Sequence, residues 1–436
     1  MPALKVRSND PSSRKAVQSV AQPIRRLHTG CRESHRARVS SVGISAAPQG
    51  RMHSRLQLDV SWSDLFSVWR GLPPSAHQQE KLIRRVWGGQ RSISVGLSVR
   101  SLFDAYVTAM RWTPGTKIAF SGITISHMVS VAEAHGLEVI ALDVDPDTLL
   151  PSVGDVEAAC RDGAAAVLVT RLFGAISSLG PIGRVVHRHG GVLIEDAAQA
   201  FAGDFHRGDS AADVSLFSFG LIKRATALGG GIAVLRDPKL AQAVDRVMSG
   251  WPRLSPIWFW KRWLRGVLLR VATVPAIYTL LFTSLRAVQI DPDALLTSAA
   301  RGFSNRSLLT QIRHRPPARL LRLLRRRLSQ PHLWRERQAT QRHLWMTSIG
   351  VHQAVGSQVE RHCAWLVVVR DRNPERLRRR LLFSGFDATR APSRLGAIDP
   401  SSSCARWMGE LVYVPHPVHM SDREERRLST LLLGER

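Results

Sequence analysis

At 436 residues the chain is long enough for two domains, or for one large domain with a smaller companion. Its hydrophobic share of 44% is ordinary for a globular protein with a sizeable core. Lys and Arg number 61 against 34 acidic residues, a formal +27 supplied almost wholly by arginine. Such a field favours anionic partners (nucleotide-sugars, acidic lipid surfaces or nucleic acid), the plain alternative being an arginine-rich solvated surface. Cys31, Cys160, Cys363 and Cys404 are scattered, with no CxxC pair and no histidine at ligand spacing. That pattern argues against a disulfide framework or a metal site and for a reducing compartment, the cytoplasm.

Residues 1–56 lack the apolar core of a secretory signal and read as a disordered, basic Ser/Arg-rich segment. A transit peptide, or a start placed too far upstream of Met52, has the same composition. Leu65 to Trp87 predicts one or two helices leading into the fold. From Ser92 to Leu235 short apolar runs alternate with helical ones. KIAFS (117–121), VIALD (139–143), AVLVT (166–170), VLIED (192–196), VSLFSF (214–219) and GIAVL (231–235) read as strands. Between them 101–110, 125–136, 156–163 and 181–190 carry helical spacing, and Asp237 to Met248 predicts a helix leaving the sheet. Continuous apolar strands separated by helices imply an α/β fold with a mostly parallel sheet covered on both faces. Ligands of such sheets sit at the carboxyl ends of the strands.

Beyond this large domain (57–250) the composition changes. Residues 256–285 are apolar and aromatic, but Lys261, Arg262, Arg265, Arg270 and Pro275 interrupt them. No clean run of about 20 apolar residues remains, the length a spanning helix needs. Basic residues among Trp, Phe and Leu suit a helix lying in a membrane interface. A packing arm or a dimer-contact helix pair fits the same pattern. Arg301 to Arg342 is dense in arginine, with Pro316 and Pro317 as breakers, and its default is a solvated helix face. The insert 251–342 gives way at 343–436 to strand (363–369), helix (373–385), strand (410–414) and a final helix (422–432). This reads as a smaller α+β C-terminal domain. No zinc-finger spacing, RNP-like motif or clear helix-turn-helix accompanies the charge, so no specific nucleic-acid partner is expected.

The stretch Gly191 to Gly231 carries the chemistry. It places a carboxylate (Asp196), an amide (Gln199), a hydroxyl (Ser218) and an amine (Lys223) just past the ends of two apolar runs. Those four groups suit pyridoxal 5'-phosphate. Lys223 can condense with the cofactor aldehyde, and Asp196 can keep the ring nitrogen protonated. Gln199 is spaced to reach the ring oxygen, and Ser218 to bind the phosphate. Each residue alone has a common structural explanation, as a helix cap, a turn residue or a solvated lysine. Their joint order and strand-end placement carry the reading.

The segment resembles the DegT/StrS family of pyridoxal-phosphate-dependent sugar aminotransferases, which have the fold-type-I architecture. The shared features are Glu195 to Ala200 (an acidic residue, then Asp-Ala-Ala-Gln-Ala), Ser218-Phe219 with Lys223 five residues after the serine, and the pair Gly230-Gly231. The likeness runs from about Ser92 to Leu235 and returns weakly at 412–428, around a Pro-His-Pro segment. It implies that Lys223 and Asp196 are catalytic, with Lys223 shuttling a proton. It implies a cofactor site of Lys223, Asp196, Gln199, Ser218, Arg100, Ser101 and Thr124. Arg100 and Ser101 would sit where a helix start meets the phosphate. The chain departs from the family at Val99, Ile125, Arg171 and Gly229, positions that bear on the substrate. Arg171, with arginines from 301–342, is a candidate for a diphosphate or carboxylate.

The resemblance further implies a homodimer that moves an amino group, with glutamate as donor, to a keto-sugar that can be nucleotide-linked, in polysaccharide or glycoconjugate biosynthesis. The alternative is a catalytically silent, membrane-associated relative in a polysaccharide assembly pathway. On either reading residues 256–285 are candidates for peripheral contact at the inner face of the membrane.

Overall fold

Apolar residues on both faces of the strands let them stack in parallel under helices, as the alternation predicts. In the computed structural model the described residues are 51–433 apart from 56–57, 72–74, 90, 289, 291–306, 331–354, 364, 391–394 and 416–419. Most of the basic segment 1–56, parts of 301–342 and most of the Pro-His-Pro segment therefore lie outside the described residues. Helices α1 (Trp62–Ser67) and α2 (Ala76–Trp87) lead in, each opened by a capping box, Ser61 with Asp64 and Ser75 with Gln78. Then come β1 (Ser92–Gly96), α3 (Val99–Met110), β2 (Lys117–Ser121), β3 (Ile123–Ile125), α4 (Ser126–Ala134), β4 (Glu138–Leu142), α5 (Val153–Arg161) and β5 (Ala164–Thr170). They are followed by β6 (Ala175–Ile176), α6 (Gly180–Arg188), β7 (Val192–Asp196), β8 (Val214–Ser218), β9 (Gly231–Leu235) and α7 (Pro238–Ser249).

Seven of these strands form one sheet in the order β1-β9-β8-β7-β5-β2-β4. Pairings from β8 across to β4 are parallel, and β9 runs against both of its neighbours. The period of two sorts the core. Ile118, Phe120, Leu168, Ile194, Leu216 and Leu235 face α3, α4 and α7. Ala119, Val167, Val169 and Leu193 face α5 and α6. Phe217, Ile232 and Val234 face a third cluster built with α2 and the segment after α7. Strand β1 was not expected: Ser-Ile-Ser-Val-Gly is short and half polar, and forms because β9 offers it an edge.

The apolar stretch after α7 is two helices, α8 (Pro256–Ala272) and α9 (Pro275–Ala287), meeting at 91°. Pro275 causes the break, because the residue before proline is pushed out of the helical region, as Val274 is (φ −64°, ψ 128°). Among the described residues no single helix is long and apolar enough to cross a membrane. The packing-arm reading holds for one face of α8, where Phe259 and Leu269 are core residues. Its other face leaves Ile257, Leu264 and Leu268 more than half exposed, at 66%, 52% and 59%. The Ala318–Leu328 helix buries Leu320, Leu321, Leu323 and Leu324 completely in the same cluster, worth about 2 kcal/mol each.

The C-terminal elements reach back to the sheet's loops. β10 (Arg361–His362) pairs with β6, while β11 (Val367–Arg370) pairs with β13 (Leu411–Val414). Between them lie the Pro374–Phe383 helix, β12 (Leu395–Ala397), which pairs with β3, and the Ser403–Met408 helix. Asp422–Leu433 closes the chain. The strand expected over 363–369 begins only at Val367. Cys363 and Trp365 instead turn toward the loops at the sheet's carboxyl ends, bonding the carbonyls of Gln199 and Ile222.

Candidate active site

Two strand ends and one loop build the site. Asp196 is the last residue of β7 and is 3% exposed; its Oδ1 accepts the Ala198 N–H at 3.0 Å. Ser218 ends β8, and its Oγ accepts weakly from the Gly220 N–H at 3.5 Å. A tight turn follows, in which the Lys223 N–H donates to the Gly220 carbonyl. Lys223 is half-buried, and its Nζ stands 3.8 Å from the centre of the Trp365 ring.

The loop that carries Lys223 is held from several sides. The Phe219 carbonyl accepts from both Ala227 and Gly229 N–H groups. Ala225 and Leu228 take left-handed backbone (φ 49° and 64°), which is uncommon for side-chain-bearing residues. Contacts over-determine that conformation. The Ala225 N–H donates to Asp59 Oδ2 at 2.7 Å, and Arg262 Nε donates to the Leu228 carbonyl at 2.6 Å. A Cβ at Gly229 would come within 2.8 Å of the Leu320 Cδ1, so a larger residue there would push that side chain aside. A Cβ on Gly231 would meet the Ser98 and Val99 backbone at 2.9 and 3.0 Å, so glycine lets α3 start against the strand.

The start of α3 faces this loop. Ser98 caps it, accepting the Ser101 N–H at 3.2 Å, and its hydroxyl lies 2.9 Å from that of Ser101. Arg100 is close enough that its charge acts on Asp196, Lys223 and Arg262 alike. Gln199 is buried, and its Oε1 accepts the Phe173 N–H at 2.8 Å; among the described residues its NH2 has no hydrogen-bond acceptor. Thr124, buried on β3, accepts from Thr170 Oγ1 at 3.5 Å. Asp196, Lys223 and Arg100 thus form one charged group. Ser218 ends the neighbouring strand, and Ser101 and Thr124 engage other side chains.

The electrostatics set two groups apart. Burial drives the Lys223 amine down to about 7, with Asp196 opposing and Arg100 reinforcing the shift. Burial likewise pushes the Asp196 carboxyl up, against the Ala198 N–H and the charges of Lys223 and Arg100. An amine that gives up its proton near neutrality, beside a buried acid at the strand ends, is the pattern of a candidate functional centre.

Arg171 is not the free anion receptor that its departure from the family pattern implied. It is 1% exposed and donates from Nε to Glu195 Oε1 at 2.7 Å and from Nη2 to Asp209 Oδ2 at 3.1 Å. A third bond, from Nη1, goes to the Ser177 carbonyl. Arginines of the later run are also taken up elsewhere, Arg313 by Asp104 and Arg327 by Asp64 and Asp59. Sequence reasoning missed Trp365, Arg262 and Ser98. Ser98 was findable as a serine before a helical run; the other two come from segments remote in sequence, and only the fold brings them here.

Known proteins share parts of this chain's sequence and its fold. Residues 67–250 match the profile of the DegT/DnrJ/EryC1/StrS aminotransferase family. An L-glutamine:2-deoxy-scyllo-inosose aminotransferase of Streptomyces kanamyceticus is 35% identical over 138 residues, 31% of this chain. The chain spans about a third, 32%, of that relative's length. A sugar aminotransferase from Micromonospora echinospora shares the fold with a TM-score of 0.60 at 18% identity, over 88% of this chain and 99% of its own. A GDP-4-keto-6-deoxymannose-3-dehydratase with bound GDP-perosamine aligns at 0.63 and 13% identity, over 87% and 100%. The fold is the fold-type-I architecture of these solved structures, and residues 67–250 resemble the DegT/DnrJ/EryC1/StrS aminotransferase family.

Proposed function

We propose that the Lys223 site binds pyridoxal 5'-phosphate and that the protein is an aminotransferase. It would move an amino group from a donor of the glutamate or glutamine type to a keto-sugar. The observation that carries this is the Asp196–Lys223 pair, whose proton affinities burial shifts toward each other at the strand ends. Bound there, the cofactor supplies an aldehyde for amine exchange and a ring that delocalises the negative charge left by a departing proton.

The residues present fit that group. Asp196, beside the cations Lys223 and Arg100, is placed to stabilise a protonated ring nitrogen. Lys223, neutral in part at pH 7, can capture the aldehyde and then take up and return a proton. Arg100 and the start of α3 favour the phosphate, with the Ser218 and Ser101 hydroxyls as further donors. The Gln199 NH2 is free to donate to the ring oxygen, and Thr124 lines the same end of the sheet. A catalytically silent relative is disfavoured, because loss of function relaxes such costly pairs.

The S. kanamyceticus relative is named for a glutamine donor and a polyhydroxylated ketone acceptor, and the dehydratase holds a nucleotide-sugar. Those names support a keto-sugar acceptor, nucleotide-linked or free. The proposal includes a homodimer working in the cytoplasm, with the bared face of α8 resting on the inner surface of an anionic membrane. Leu264→Glu with Leu268→Glu should then abolish co-sedimentation with anionic liposomes. Exposed leucines are the right target, since deleting 256–285 would also remove core residues.

A visible absorbance spectrum with pyridoxal phosphate, before and after L-glutamate or L-glutamine, tests the assignment. We expect a band that the donor bleaches and that Lys223→Ala lacks. A Lys223-dependent band untouched by either donor would support the silent relative. No band at all would overturn the reading.

A further inference from the structure

The Ala318–Leu328 helix has a second face. Opposite its buried leucines it lines, with α1 and the turn after it, a cleft of about 420 Å³ walled by Arg70, Arg322, Arg325 and Arg326. Asp64 is the carboxylate at hand, and it is consumed. Arg326 Nε reaches it at 2.8 Å, Gln330 Nε2 at 2.6 Å, and Arg327 and Ser61 take further positions. Arg322 makes one long bond, 3.4 Å, to the Gly71 carbonyl, and the Arg325 Nε is buried with no hydrogen-bond partner. Among the described residues Arg70, Arg322 and Arg325 form no ion pair.

A solvated basic helix lets its side chains spread apart, and here the scaffold prevents much of that. Four fully buried leucines fix the helix, and Arg319 is tied to the Val68 carbonyl at 2.6 Å. Burial and the neighbouring charges of Arg325, Arg319 and Arg70 hold the Arg322 guanidinium below its ordinary value. Like charges held this close cost stability unless an anion neutralises them.

We propose that this cleft is a second anion site, separate from the Lys223 site, that takes a phosphate monoester or diphosphate. Planar guanidinium forks match phosphate oxygens in pairs, and three cations without carboxylates suit a multiply charged ligand better than a single carboxylate. The volume suits a phosphate with part of what it is esterified to. That ester is either free in solution or the headgroup of a lipid.

Pyrophosphate titrated into the full-length protein by calorimetry tests this, with the Lys223 site loaded with pyridoxal phosphate and the excess removed by desalting. We expect saturable binding, weakened about tenfold for each of Arg322→Gln and Arg325→Gln and unchanged in Arg100→Gln. Arg70→Gln, on the exposed wall, serves should either helix variant fail to fold. Absence of saturable binding, or affinity indifferent to these arginines, would overturn the proposal. Capture by vesicles containing phosphatidic acid, displaced by pyrophosphate, assigns the lipid headgroup. Pyrophosphate binding without vesicle capture assigns the free ester.

Discussion

Glu195 and Asp196 are adjacent carboxylates at the end of one strand, both buried, and their surroundings treat them in opposite ways. Glu195 meets Arg171 at 2.7 Å, His206 at 2.9 Å and the Asp209 N–H at 2.9 Å. Burial alone would raise its carboxyl, but the charges of His206 and Arg171 hold it well below the ordinary carboxylate range. Asp196 has one backbone N–H and two cations at longer range, and burial wins. A strand reverses its side chains at each residue, so one step in sequence separates the two surroundings. A buried charge that is fully paired is scaffold; one left short of partners is available for chemistry.

The largest effect should come from Lys223→Ala, which abolishes covalent capture of pyridoxal phosphate. It should leave the melting temperature equal or higher, since a costly buried amine is gone. Breaking the other site should do the reverse. Arg171→Met takes the guanidinium away from the buried Glu195 and from Asp209, and we expect a loss of about 3–5 kcal/mol by denaturant unfolding. Asp196→Asn should cost within about 1 kcal/mol, because burial already penalises the charged carboxylate it replaces. Equal losses for these two would erase the distinction between scaffold and site.

Acid should separate them as well. Glu195 binds its proton more weakly folded than unfolded, so its stabilisation is full above its ordinary value of 4.5. It is lost as pH falls through the lower folded value. Lys223 has the opposite sign of effect. Its folded value of about 7 lies below the unfolded 10.5, so below pH 7 folding carries the full cost of a poorly solvated charged amine, and that cost fades as pH rises toward 10.5. Urea midpoints against pH, for wild type and Lys223→Ala, should diverge across that window.

The smallest effect concerns Trp365, whose ring face favours the charged amine. Trp365→Leu should lower the Lys223 midpoint by about half a unit to one unit, read from the pH dependence of amine labelling.

Much of the sheet was legible because its strands are apolar on both faces and its helices keep their period. VLIED and GIAVL are strands with the bounds read from sequence. The carboxylate, amide, hydroxyl and lysine were legible because they follow those strands at short spacing. Arg171 was misread, since nothing local shows that Asp209 and the Ser177 carbonyl fold around it. Trp365 and Arg262 were invisible for a related reason. Their contacts with Lys223 and Leu228 span over a hundred and about thirty residues, and periodicity reports only neighbours. The insert's two-sided use, core on one face and bare on the other, needed the position of the Lys223 loop beneath it.

One measurement reaches the central claim without the cofactor. The free protein would be labelled with an amine-acetylating reagent across pH, and the Lys223 peptide followed by mass spectrometry. Labelling that rises to half its maximum near pH 7, and shifts lower in Asp196→Asn, is the predicted result. A midpoint near the ordinary lysine value of 10.5 would contradict it.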